Sequence, residues 1–150
     1  MRILFICSGN RSRSVLAEYL LRHIAAQKRL PVEVRSAGTD TIDGRRADPL
    51  TVCSLREWGI DATEHRTQSI TPELIEWADW VLTATLSHRD KLREWFPEAS
   101  AKIFTLAEFV GEFGSINDPN KDTLTAFNEV RDRIYRLIQK LVEKIESGSY

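Results

Sequence analysis

The stretch Ile3-Leu4-Phe5-Ile6-Cys7-Ser8-Gly9-Asn10-Arg11-Ser12-Arg13-Ser14-Val15-Leu16-Ala17-Glu18-Tyr19-Leu20-Leu21 decides the fold of this chain. Its first four residues form an apolar run of strand length, and its last seven begin a helical pattern. Between them stands Cys7, followed after five residues by Arg13-Ser14. A strand-to-helix turn of this kind aims successive backbone N–H groups into one concavity at a helix N-terminus, a ready site for an anion. A cysteine placed there is favoured as thiolate, the nucleophilic form. An arginine closing the loop brings a planar, two-pronged donor that matches phosphate oxygens. Together these parts describe the transfer of a phosphoryl group onto sulfur.

Outward from that turn, strands and helices alternate. A strand is predicted over about 2–6 and a helix over 13–28, with Leu16, Leu20, Leu21 and Ile24 inward. A short alternating strand follows at 32–36, then a polar loop over 39–46. Asp48-Pro49 opens a second helix, the aspartate as cap and the proline in the first turn; it is expected to end near Trp58-Gly59. A short helix begins around 69–73, a buried strand covers 80–83, and a helix over 87–95 stops before Pro97. A strand at 102–104, a short helix at 106–110, a loop over 111–122 and a long amphipathic helix over 124–145 complete the chain. The alternation implies an α/β fold in three layers. Its four-stranded parallel sheet has the flavodoxin-like order 2-1-3-4, helices on both faces and the ligand at the carboxyl end of the first strand.

The 150 residues suit one domain, 1–150, with a sizeable core. A net charge of −1 gives no general pull toward nucleic acid or a membrane surface, and neither is expected as a partner. No apolar run reaches the length of a membrane span, and Met1-Arg2 leads directly into a strand without a leader pattern. Two cysteines far apart do not make a disulfide framework, so a reducing, cytoplasmic setting is expected, with the chain a monomer. His23, His65 and His88 lack ligand spacing, so neither a metal nor a cofactor is expected. Cys53 lies beside Val52 and Leu55 on the second helix and is expected in the core. Arg45-Arg46 reads as a solvated loop.

Cys7 to Ser14 at the extreme N-terminus resembles the phosphate-binding loop of the low-molecular-weight protein tyrosine phosphatase family, which includes bacterial protein arginine phosphatases. Ser36-Ala37-Gly38 resembles the end of the family's second strand, and Asp48-Pro49 with Leu55 and Gly59-Ile60 its second helix. Ala78-Asp79-Trp80-Val81-Leu82 is similar to its third strand, and Asp118-Pro119 to the loop bearing its catalytic acid. The resemblance implies a phosphatase working through a phosphocysteine on a phosphorylated protein or a small phosphomonoester. In it, Cys7 is the nucleophile and Arg13 binds phosphoryl oxygens. Ser14 donates a hydroxyl to the Cys7 sulfur, and Asn10 holds the loop open. Gly9 gives freedom where the loop bends, and Ser8, Gly9, Asn10, Arg11, Ser12 and Ser14 make up the binding set. On the residues alone, Asp118 is as readily an ordinary Asp-Pro turn; the resemblance gives it the role of general acid.

Four positions depart from the family pattern. Ser12 stands where a second loop cysteine is usual, so an oxidised Cys7 lacks that disulfide partner. Arg11 is neither the aliphatic residue of tyrosine-specific members nor the threonine of arginine-specific ones. Val15 replaces a proline, and Asn120-Lys121 follow Asp118-Pro119 where tyrosine-specific members carry aromatics. Thr41-Ile42-Asp43 also lacks an aromatic for the opposite pocket wall. Phosphotyrosine leads as the expected substrate, with phosphoarginine the alternative. Arg11 would repel a phosphoguanidinium unless Asp118 or another acid offsets it. Arsenate reduction needs further cysteines after the third strand, and 80–103 contain none. A phosphate-binding module with a degraded site is the non-enzymatic reading.

Overall fold

The computed structural model describes all residues, Met1–Tyr150. Four strands, β1 (Arg2–Cys7), β2 (Glu33–Gly38), β3 (Trp80–Thr83) and β4 (Ile103–Thr105), form one parallel sheet in the order β2-β1-β3-β4. The helices are α1 (Arg13–Lys28), α2 (Pro49–Arg56), α3 (Pro72–Trp77), α4 (Leu86–Trp95), α5 (Leu106–Phe109) and α6 (Leu124–Ser147). The expected architecture and strand order are those observed.

Period-two alternation along β1 feeds two cores. Ile3, Phe5 and Cys7 join Leu16, Leu20 and Leu21 of α1 and Ile134, Leu137, Ile138 and Leu141 of α6 on one face. Leu4 and Ile6 join Val81, Ile103, Leu74, Ile75 and Leu92 on the other. Each such side chain taken fully from water contributes about 1.5–3 kcal/mol. β1 is central and paired on both sides, so its carboxyl end, where Cys7 sits opposite Gly38, is held from both edges.

Several boundaries differ from the sequence reading. β2 runs on through Gly38 because its last residues pair with Phe5, Ile6 and Cys7. α2 stops at Arg56, and Gly59 then turns at φ 75°. A 3₁₀ segment, Pro97–Lys102, fills the connection into β4, which therefore starts one residue later. Cys53, expected in the core, is exposed: α2 turns Ser54 and Leu55 inward and Cys53 to solvent.

Candidate active site

β1 ends at Cys7, buried to 2% exposure, and α1 begins at Arg13, so the loop between them wraps the helix N-terminus. Five helices have their first turn capped by a side chain, from Asp48, Thr71, Thr85, Thr105 or Thr123. α1 has no such cap. Its first N–H groups face the concavity with their partial positive charge unclaimed by any side chain, the arrangement that favours an anion.

Asn10 organises the loop. It is the residue in the left-handed region, at φ 55°; Gly9, expected to supply the bend, has no positive φ. Asparagine tolerates that conformation and its amide can bond locally, which explains the substitution of roles. Asn10 Nδ2 donates to Ser14 Oγ at 2.8 Å and to Ser36 Oγ at 2.9 Å, while Oδ1 accepts from the Gln68 amide at 3.0 Å. Ser14 Oγ thus accepts from Asn10 and keeps its own proton for Cys7 Sγ, 3.0 Å away. The Ser36 hydroxyl donates a hydrogen bond to buried Glu18, which pairs with Arg22 at 2.7 Å. The Thr39 and Asp40 amides donate to the Cys7 and Ser8 carbonyls at 3.0 and 2.9 Å, tying the loop to the end of β2.

Arg13 is almost fully buried and turned toward the loop that precedes α6. Its Nη1 donates to the Ile116 carbonyl at 3.0 Å and Nη2 to Asp118 Oδ2 at 3.1 Å, with Nε 3.1 Å from Oδ1. The structure brings Cys7, Arg13 and Asp118 to one cleft of about 290 Å³, whose lining also includes Ser8, Gly9, Arg11, Ser12, Asp48, Asp122 and Phe127. The Asp118 side chain is 71% exposed at its mouth. Arg11 Nε donates to the Arg46 carbonyl at 3.0 Å, which ties Arg11 to the 39–48 loop. Ser12 Oγ is buried without a partner.

A sequence profile described as "Low molecular weight phosphotyrosine protein phosphatase" matches residues 2–149. The chain belongs to that family. Among curated relatives, the protein-arginine-phosphatase of Geobacillus stearothermophilus is 42% identical over 148 residues, covering 97% of this chain and 97% of its own. Among solved structures, a mutant of the YwlE arginine phosphatase with a phosphorylated active-site serine superposes with a TM-score of 0.95. It is 34% identical and covers 99% of this chain and 98% of that one. The low-molecular-weight protein tyrosine phosphatase of T. tengcongensis gives 0.93 at 37% identity, covering 96% and 99%. This family member is therefore similar to enzymes named for two different phosphoamino acids.

Sequence reasoning missed two buried histidines that serve the loop of this phosphatase. His65 Nε2 lies 2.8 Å from the Asn10 carbonyl and, since a carbonyl only accepts, donates to it. His88 Nε2 lies 2.8 Å from Ser8 Oγ. Separations of 55 and 80 residues gave no local pattern to find them by. Burial, with the Arg13 and Lys91 charges adding and Asp118 opposing, pushes the His88 imidazole down to about 4.

Proposed function

We propose that this cysteine-dependent phosphatase acts on phosphoarginine in proteins. The observation that carries this reading is the guanidinium contact with Asp118: Arg13 Nη2 donates to Oδ2 at 3.1 Å, and Nε stands 3.1 Å from Oδ1 as an ion-pair contact. A substrate guanidinium can take that place while Arg13 turns its donors to the phosphoryl oxygens. Asp48 and Asp122 add two further carboxylates to the lining, the offset that Arg11 requires, and the one aromatic there, Phe127, is buried. Stacking on a phosphotyrosine ring thus finds no exposed aromatic partner among the lining residues. The similarity to an enzyme named protein-arginine-phosphatase supports the same choice.

In the proposed mechanism, Asp118 enters protonated, accepting from the substrate guanidinium through one oxygen and carrying its proton on the other. The Cys7 thiolate attacks phosphorus, the P–N bond breaks, and that proton passes to the departing nitrogen. Arg13 and the amides of the Ser8–Ser14 loop hold the phosphoryl oxygens. Water then attacks the phosphocysteine, Asp118 takes its proton, and sulfur leaves as thiolate, eased by the Ser14 hydroxyl. A cytoplasmic location, where thiols stay reduced, fits a thiolate nucleophile.

The test pairs peptides of one sequence carrying phosphoarginine or phosphotyrosine. The expected outcome is a kcat/KM higher by at least about tenfold, or about 1.4 kcal/mol, for phosphoarginine. Higher values for phosphotyrosine would establish the tyrosine reading instead. Cys7→Ser should abolish turnover of both while leaving the fold intact.

A further inference from the structure

Ser8 Oγ has a single protein partner, His88 Nε2 at 2.8 Å, and the other ring nitrogen, Nδ1, lies 2.9 Å from Thr85 Oγ1. Which atom carries each proton follows from the cap of α4. Thr85 Oγ1 already accepts from the His88 backbone N–H at 3.1 Å, so its own hydroxyl proton needs an acceptor. His88 Nδ1 is the acceptor in reach. The ring proton then sits on Nε2 and is donated to Ser8 Oγ. Ser8 has its oxygen occupied and its hydroxyl proton without a protein acceptor, in a residue that lines the cleft beside Cys7. The opposite tautomer would leave the Thr85 proton without a protein acceptor and turn Ser8 lone pairs toward a phosphoryl dianion. The imidazole is held neutral by burial and by the Arg13 and Lys91 charges, so it has one proton to place rather than two.

We infer that Thr85, His88 and Ser8 form an oriented relay that presents the Ser8 hydroxyl as an additional donor to the bound phosphoryl group, with His88 as its positioning residue. This rests on the cleft's being the phosphoryl site proposed above. It assigns the Ser8 side chain a role separate from the loop amides, and it gives the buried His88 a reason to be neutral and polar where a leucine would pack.

Inorganic phosphate, titrated calorimetrically, reads the relay without reference to the leaving group. Ser8→Ala and His88→Phe should each weaken phosphate binding about tenfold, the worth of one hydrogen bond to a charged group. The double variant should bind no more weakly than either single one, since both remove the same contact. His88→Gln, whose amide nitrogen can reach the position of Nε2, should recover most of what His88→Phe loses. Unchanged affinity in Ser8→Ala, or additive losses in the double variant, would overturn the relay while leaving the phosphatase reading intact. Failure of the unmodified chain to bind phosphate at all would overturn both. ¹⁵N spectra of the imidazoles at neutral pH supply a measurement that needs no substitution. With three histidines in the chain, an Nε2–H resonance for His88 supports the relay and an Nδ1–H resonance overturns it.

Discussion

At the scale of single residues, the site is a set of donors whose acceptors were chosen before any ligand arrives. Asn10 fixes the proton of Ser14, and Ser14 aims it at the Cys7 sulfur. Ser12 is different, a buried hydroxyl with no hydrogen-bond partner; Arg13 Nε and the Thr39 hydroxyl likewise lack one. An unsatisfied buried hydroxyl costs about 1–3 kcal/mol, so a less polar atom would suit the space better. Ser12→Cys should therefore fold at least as stably as the unmodified chain. It should also regain activity on thiol treatment after a brief peroxide pulse, because sulfenic acid at Cys7 would be captured by the neighbouring thiol before further oxidation. The unmodified chain should recover much less, since its only other thiol, Cys53, faces solvent on α2. Equal recovery in the two proteins, followed by activity assay and mass spectrometry, would show that the loop needs no such partner.

At the scale of elements, the Cys7–Ser14 loop is supported by the end of β2 as much as by β1. A Cβ built on Gly38 would lie 2.5 Å from the Ser8 carbonyl oxygen and 2.9 Å from Thr41 Cγ2. The Thr41 methyl can rotate away, but the Ser8 carbonyl is backbone and cannot yield without moving the loop. Gly38→Ala should thus lower kcat/KM by more than about tenfold and reduce stability by about 1–3 kcal/mol, the usual range for overpacking. Denaturant unfolding and steady-state kinetics measure the two separately; a neutral substitution would mean that β2 does not buttress the loop. The elements themselves were largely legible in the sequence. The bounds of α1 and β3 follow from apolar runs and punctuation, the candidate site's Cys7, Arg13 and Ser14 from the spacing of the N-terminal motif, and Asn10 and Asp118 from the family resemblance. What escaped was set by tertiary pairing. The extension of β2 depends on its partner strand, the outward turn of Cys53 on how α2 is rotated, and the histidines on contacts between distant segments. The burial of Arg13, Ser14 and Glu18 on the inner side of α1 was equally hidden, because residues that serve a loop break the apolar pattern of the helix carrying them.

At the scale of the whole molecule, acid is the condition that separates folded from unfolded chains. Between the ordinary imidazole value of 6.5 and about 4, the unfolded chain takes up a proton at His88 that the folded chain refuses. Proton uptake by the unfolded state lowers stability as pH falls through that window, and above it the contribution is flat. The melting temperature of the unmodified protein should drop more steeply from pH 6.5 to 4 than that of His88→Gln, which has no such proton to refuse. Parallel curves would remove His88 from the acid response.

Arg13 reaches across 103 residues to the Ile116 carbonyl and across 105 to Asp118. The order of synthesis gives that span a temporal meaning. A ribosome releases the loop of the proposed nucleophile first and the proposed acid almost last, ahead of only α6. Until the final third of the chain has emerged and docked, the loop lacks the Asp118 carboxylate that contacts its arginine and is proposed as the acid. On the proposed reading, a chain truncated before Asp118 should therefore show no phosphatase activity, which an assay of the purified truncation checks.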